Sequence, residues 1–130
     1  GKKIKITLNY LCNSELAGDY SAAYTYVHPD LGTSTGTYTD TWTEVSSGTY
    51  RTTRVGHWTP AQLGGTPGMT IQDVCDEIII GEQNLVDLYS NLVDDKGIHG
   101  SRDPLTGTIT VDYKICASYC REYNVVYTKL

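Results

Sequence analysis

Residues able to do chemistry are few in this chain, and they are scattered. The three histidines, His28, His57 and His99, fall in Gly- or Pro-containing loops far apart in sequence, with no G-x-S-x-G elbow or spare thiol nearby to act as a nucleophile. Solvated loop histidines account for them. Asp73, Asp76 and Glu77 bracket Cys75 and suggest the paired carboxylates of glycoside hydrolysis. On a strand, however, Asp73 and Glu77 share one face while Asp76 points to the other, which describes a solvated strand edge as well as it describes a site. Asp94, Asp95 and Asp103 surround a Gly-rich loop without the D-x-[DN]-x-[DN]-G register of a calcium loop. The expectation is a protein that is not an enzyme and uses no cofactor or metal.

Aromatic side chains offer a different chemistry. There are eleven Tyr, two Trp and no Phe, and such rings can stack on sugars or anchor an interface. Most of the tyrosines are explained as Phe replacements in the core and rims of a small sheet, with hydroxyls reaching solvent and ring-bearing faces meeting water or another subunit in place of a deep dry core. Trp58 is the exception, because it lies in a Gly/Pro loop where no strand face accounts for it. His57 and Trp58 are therefore the candidate ligand contacts, with Trp42 and Tyr38 as support.

Four cysteines, Cys12, Cys75, Cys116 and Cys120, lack the CxxC spacing of zinc ribbons and of thioredoxin-like sites. Cys116 and Cys120 bracket Ala117-Ser118-Tyr119 between two alternating runs, which places them across a hairpin neck within bridging distance. Cys12 is then left to pair with Cys75. The two other pairings remain formally open, as do four reduced buried thiols. Disulfides favour an oxidising, extracytoplasmic compartment.

The elements that must position these residues are strands. Eighteen threonines against four prolines push the chain toward β structure. Lys3 to Leu11 alternates, with Ile4, Ile6, Leu8 and Tyr10 on one face and Lys3, Lys5, Thr7 and Asn9 on the other. Gly18 to Val27 puts Tyr20, Ala22, Tyr24 and Tyr26 on one face. From Thr33 to Thr43 every odd position is Thr, opposite Tyr38 and Trp42, and Ser46-Ser47-Gly48 turns the chain into Thr49 to Val55. The T-x-T rank resembles the arrays of ice-binding β proteins, but those need several flat ranks and a twisted meander supplies one or two, so ordinary β propensity explains it. Gly56 to Met69, with four Gly and two Pro, is a loop. Asp73 to Gly81 reads as one short buried strand, Leu85, Leu88 and Leu92 allow a short helix near 82–93, and Asp94 to Gly107 reads as a polar turn region. Ile109, Val111, Tyr113 and Ile115 point inward in a hairpin completed by Glu122 to Lys129. The total is an all-β antiparallel sandwich or meander barrel of about seven or eight strands.

Length and charge narrow the classes further. The 130 residues suit one domain able to bury a core without a metal. A net charge of −5, with no basic run, argues against nucleic acid and anionic membranes, and no apolar stretch approaches a membrane span. The chain opens at Gly1, with neither a Met nor a signal-peptide h-region, from which a piece processed from a longer precursor is expected. Residues 1–12 read as an N-terminal strand exchangeable with a neighbour, and 13–130 as a single β domain.

Taken together, Cys12-Asn13-Ser14-Glu15-Leu16-Ala17-Gly18-Asp19-Tyr20, the segment from Thr39 to Tyr50 with Thr43-Glu44-Val45-Ser46-Ser47-Gly48-Thr49-Tyr50, and Asp73-Val74-Cys75 form a pattern. It ends on Gly107, Ile109, Thr110, Val111 and Tyr113, then Tyr127, Thr128 and Lys129. This set resembles the lipocalin-like or sandwich-like C-terminal β domains of secreted Bacteroidota surface proteins and lipoproteins. The resemblance implies a cell-surface location and a Cys12–Cys75 bridge, and it brings no activity or catalytic residue. Cys116 and Cys120 are additions to the pattern, and the Leu-rich 82–93 segment departs from it.

Two functions follow as expectations. One is a non-enzymatic extracellular structural protein, a subunit of a cell-surface filament or layer assembled through β-domain contacts. In it Ile4, Ile6, Leu8 and Tyr10 of the first strand pair with a neighbour's sheet edge. The other is a surface module that binds a glycan or small ligand through His57 and Trp58.

Overall fold

Among the described residues the alternating segments form ten strands, and eight of them close into an antiparallel barrel. A computed structural model describes residues 12–59, 61–62, 68–84 and 91–130. Its strands are β1 (Gly18–His28), β2 (Gly32–Ser46), β3 (Thr49–Arg51), β4 (Thr70–Val74), β5 (Glu77–Ile79), β6 (Gln83–Asn84), β7 (Leu92–Asp95), β8 (Gly100–Arg102), β9 (Ile109–Cys116) and β10 (Cys120–Lys129). The ring runs β10-β1-β2-β3-β4-β5-β8-β9 and returns to β10. Strand β9 shares one edge between two partners. Ile109 and Thr110 pair with β8, while Tyr113 to Cys116 pair with β7, to which β6 adds. The sandwich-or-barrel question is thus decided for the barrel.

Period-two alternation sorts the side chains. In β2 the Thr rank is exposed while Tyr38, Asp40 and Trp42 point inside; in β9 Ile109, Val111, Tyr113 and Ile115 are buried. Tyr20, Trp42 and Tyr127 pack with ring centroids 5.0–5.9 Å apart near one end. That end is stoppered by the chain entering β1: Leu16 is buried, its N–H donates to the Tyr50 hydroxyl and its carbonyl accepts from the Tyr20 hydroxyl. The Cys12–Cys75 bridge ties this entry to the β4–β5 turn. We call this the closed end, and the opposite one, at the β1–β2 and β9–β10 turns, the open end.

Five sequence expectations change. Tyr20, Tyr50, Tyr113, Tyr123 and Tyr127 are 0–1% exposed, so these five form the interior instead of a wet face. A narrow barrel accepts Tyr where the hydroxyl finds a partner near its ends: Tyr20 and Tyr50 pair with the Leu16 backbone, Tyr113 with the Gly56 N–H and Tyr123 with His57, while the Tyr127 hydroxyl has no partner among the described residues. The Asp73–Gly81 segment is two strands. Cys75 (φ 53°) and Asp76 (φ 71°) make a two-residue hairpin turn with both central residues at positive φ, pairing Val74 with Glu77. At both ends of the 82–93 segment the chain is extended, since Gln83 pairs with Val93 and Asn84 with Leu92; residues 85–90, at the centre of the expected helix, lie outside the described residues. Finally, β3 ends at Arg51, short of Val55, and β8 occupies part of the expected 94–107 turn region. The first strand, with Ile4, Ile6, Leu8 and Tyr10, lies outside the described residues. Both disulfides are formed, Cys12–Cys75 and Cys116–Cys120.

Candidate functional site

The open end is covered by a turn that begins where β3 stops. Val55 and Trp58 form an isolated bridge, and between them Gly56 adopts φ 60°. A Cβ at Gly56 would stand 2.9 Å from the Tyr123 ring, so only glycine lets this turn settle onto the barrel mouth. Its N–H donates to the Tyr113 hydroxyl at 2.8 Å. Arg54 clamps the turn from the other side. Its Nε donates to the Trp58 carbonyl at 2.8 Å and its Nη2 to the His57 carbonyl at 3.2 Å, with the guanidinium 4.6 Å from the Tyr38 ring centroid.

So held, His57 and Trp58 enter a closed circuit of contacts around the mouth. Tyr26 lies 6.2 Å from His28 and 4.8 Å from His57. His57 stacks on Trp58 at 5.2 Å, Arg121 covers Trp58 at 4.8 Å and Tyr119 at 5.5 Å, and Tyr119 returns to His28 at 5.2 Å. Beneath the circuit, His57 Nδ1 is hydrogen-bonded to the Tyr123 hydroxyl at 2.7 Å and stacks on Tyr24 at 5.4 Å. Arg121 Nη2 donates to Asn91 Oδ1, while its buried Nε has no hydrogen-bond partner among the described residues. Tyr119 is the most open ring, at 45% exposure. The circuit thus gathers aromatic rings and one guanidinium at the barrel mouth, with Tyr119 its exposed member.

Electrostatics keep this mouth neutral at His57. Burial, then the Arg121 and Arg54 charges, lower its pKa below the ordinary 6.5. Burial also raises the Tyr123 phenol, leaving it a proton-bearing partner for His57.

The expected site residues divide. His57 and Trp58 stand together at the open end. Trp42 is buried at the closed end against Tyr20, Tyr50 and Tyr127, and Tyr38 is buried beneath Arg54, so neither presents a ring face at the surface. Tyr26, His28, Tyr119 and Arg121 were missed. The signal for the last two was their place in the Cys116–Cys120 hairpin neck, which puts them at a strand turn beside the β1–β2 turn. Asp73, one of the acidic trio, accepts from the Ser14 hydroxyl and the Asp76 N–H, Asp76 pairs with Arg102, and Glu77 pairs with His99. Each carboxylate is engaged separately. Among the described residues no group of three or more His, Cys, Asp or Glu is placed to hold a metal ion, and no helix is long and apolar enough to cross a membrane. No known family, no curated protein and no solved structure matches the chain.

Proposed function

We propose that this is a non-enzymatic, extracellular or cell-surface module that binds a glycan at the open end of its barrel. The reading rests on one observation: the closed circuit of His28, Tyr26, His57, Trp58, Arg121 and Tyr119, held in place by the Arg54 clamp. Sugars are recognised by ring faces and edges that cover their C–H surfaces and by planar donors that reach their hydroxyls or a carboxylate. The Arg121 guanidinium, lying over Trp58 and beside Tyr119 at the mouth, supplies such a planar group. Two disulfides support the oxidising compartment, as does the resemblance to C-terminal domains of Bacteroidota surface proteins and lipoproteins. Glycan-array binding by the intact chain tests it. Trp58→Ala and Arg121→Ala should each weaken the bound class about tenfold or more, and an array with no bound glycan removes the reading.

The second reading is the structural one, a subunit of a surface filament or layer that associates through its β domains. It is favoured by a stretch of β2 whose outer edge has no strand partner among the described residues.

A further inference from the structure

Strand β2 is unevenly used. One side pairs with β1 from Gly32 to Trp42. On the other side β3 reaches only Thr43, Glu44 and Ser46. The N–H of Thr41 points to this second side, donating to Thr53 Oγ1 at 3.1 Å. Because N–H and C=O groups alternate in direction along a strand, Thr33, Thr35, Thr37 and Thr39 turn theirs the same way. They meet no ladder partner among the described residues. Nor does the sequence of this stretch carry the usual edge protection. The run Thr33-Ser34-Thr35-Gly36-Thr37-Tyr38-Thr39 has no Lys, no Pro and no recorded bulge.

The sequence holds a segment that fits such an edge. Lys3 to Tyr10 alternates over eight residues, about the length of the open stretch. Added there with Lys3, Lys5, Thr7 and Asn9 outward, it extends the exposed Thr rank and turns Ile4, Ile6, Leu8 and Tyr10 toward the inner face that carries Tyr38. A one-residue slip would reverse this match, so the pattern specifies register parity. Charge is complementary as well. The first eleven residues carry three Lys and no acid, leaving a net −8 on the rest of the chain against −5 for the whole. The segment leaves from Cys12, which the disulfide fixes at the closed end beside Ser47 and Gly48 of the β2–β3 turn, where they share a cleft of about 240 Å³. Directly above that turn, β3 already occupies its own β2 edge.

We propose that the β2 edge from Thr33 to Thr39 accepts residues 3–10 of a second copy of this chain as an added strand, joining copies head to tail. This rests on the assembly reading and is independent of glycan binding. The test is sedimentation velocity of the full 130-residue chain over rising micromolar concentration. Thr37→Pro removes an edge-facing N–H and no bond to β1, and Ile6→Pro disables the incoming strand. Wild type should associate with concentration, and each variant alone should weaken association about tenfold or more. An equimolar mixture of the two should form dimers and nothing longer, since it contains one working edge and one working strand. Should Thr37→Pro lose its near-UV spectrum, the exposed pair Thr35→Lys and Thr37→Lys sets like charge against Lys3 and Lys5 and should weaken association similarly. Association unchanged by folded edge variants overturns the proposal and leaves the assembly reading standing. A monomer at every concentration overturns both.

Discussion

The side-chain amide of Gln83 takes the place of a backbone peptide opposite Thr70: the Thr70 N–H donates to Gln83 Oε1 at 2.8 Å, and Gln83 Nε2 donates to the Thr70 carbonyl at 3.0 Å. This pair closes a seam. Strand β4 pairs with β5 only from Gln72 onward, and β6 pairs with β7, away from β4. Thr70 also pairs with Arg51 of β3 on its other side. Gln83→Ala should therefore unpair two backbone groups and cost about 1–3 kcal/mol, read as a lower urea midpoint. Gln83→Glu keeps the acceptor and loses the donor, so it should fall between Ala and wild type. Equal midpoints for all three chains would show that the seam is held elsewhere.

Asp40 predicts an unusual pH dependence. It is 1% exposed inside the barrel, and its Oδ1 accepts from the Thr53 N–H, the Thr53 hydroxyl and the Arg54 N–H at 2.8–3.1 Å. Its Oδ2 has no hydrogen-bond partner among the described residues. Burial outweighs those three donors and raises the carboxyl above its ordinary 3.8. The folded state therefore binds the Asp40 proton more tightly than the unfolded state does. This term is most favourable below 3.8 and declines as pH rises through the folded pKa. Asp40→Asn keeps an acceptor for the same donors and removes the titration. Its stability should rise relative to wild type as pH increases from the acid side, measured by urea midpoints across that range. A constant difference between the two chains would sink the assignment.

His57 carries the opposite sign. Its pKa is lowered, so the folded state holds the neutral imidazole, and stability present above 6.5 is lost as pH falls through that value toward the folded pKa. The charge would arrive between Arg54 and Arg121, on a ring stacked with Trp58. Acidification should shift Trp58 emission and lower the melting temperature, and His57→Gln should flatten both responses. Trp42, buried at the far end, should report little. An unchanged pH profile in His57→Gln would place the transition on another group.

How much of this was readable beforehand follows from how local each signal is. The β9–β10 hairpin, the inward Ile109–Ile115 face and the Cys116 and Cys120 neck rest on short-range alternation and were legible. The turn at Cys75-Asp76 was not, because neither residue is Gly or Asn and the apolar Ile78-Ile79-Ile80 run hides the break. The tyrosine interior escaped for a different reason. Whether a hydroxyl is satisfied depends on distant backbone groups, such as the Gly56 N–H for Tyr113 and the Leu16 carbonyl for Tyr20. The mouth circuit likewise joins His28, His57 and Arg121 from three separate turns. Its Trp58 member was found only because a Gly/Pro loop left it without a strand face.

The two disulfides should differ in weight, and the difference follows from chain length. Cys12 and Cys75 are separated by 63 residues, whereas Cys116 and Cys120 are separated by 4. Closing the long loop restricts the unfolded chain by about 4 kcal/mol and the short one by about 2 kcal/mol. The long bridge also holds the closed-end stopper, where the Ser14 hydroxyl donates to Asp73 at 2.6 Å and Leu16 N–H reaches the Tyr50 hydroxyl at 3.0 Å. These hydrogen bonds join the entry segment to β3 and β4 without the bridge. A Cys12→Ser, Cys75→Ser chain should therefore keep its native near-UV spectrum while its denaturant midpoint falls, and the Leu16 amide should exchange faster than in wild type. The Cys116→Ser, Cys120→Ser chain should lose about half as much stability, with Leu16 exchange unchanged. If the short bridge proves the more stabilising of the two, chain restriction is not what these bridges contribute, and native-state packing at the β9–β10 neck takes its place.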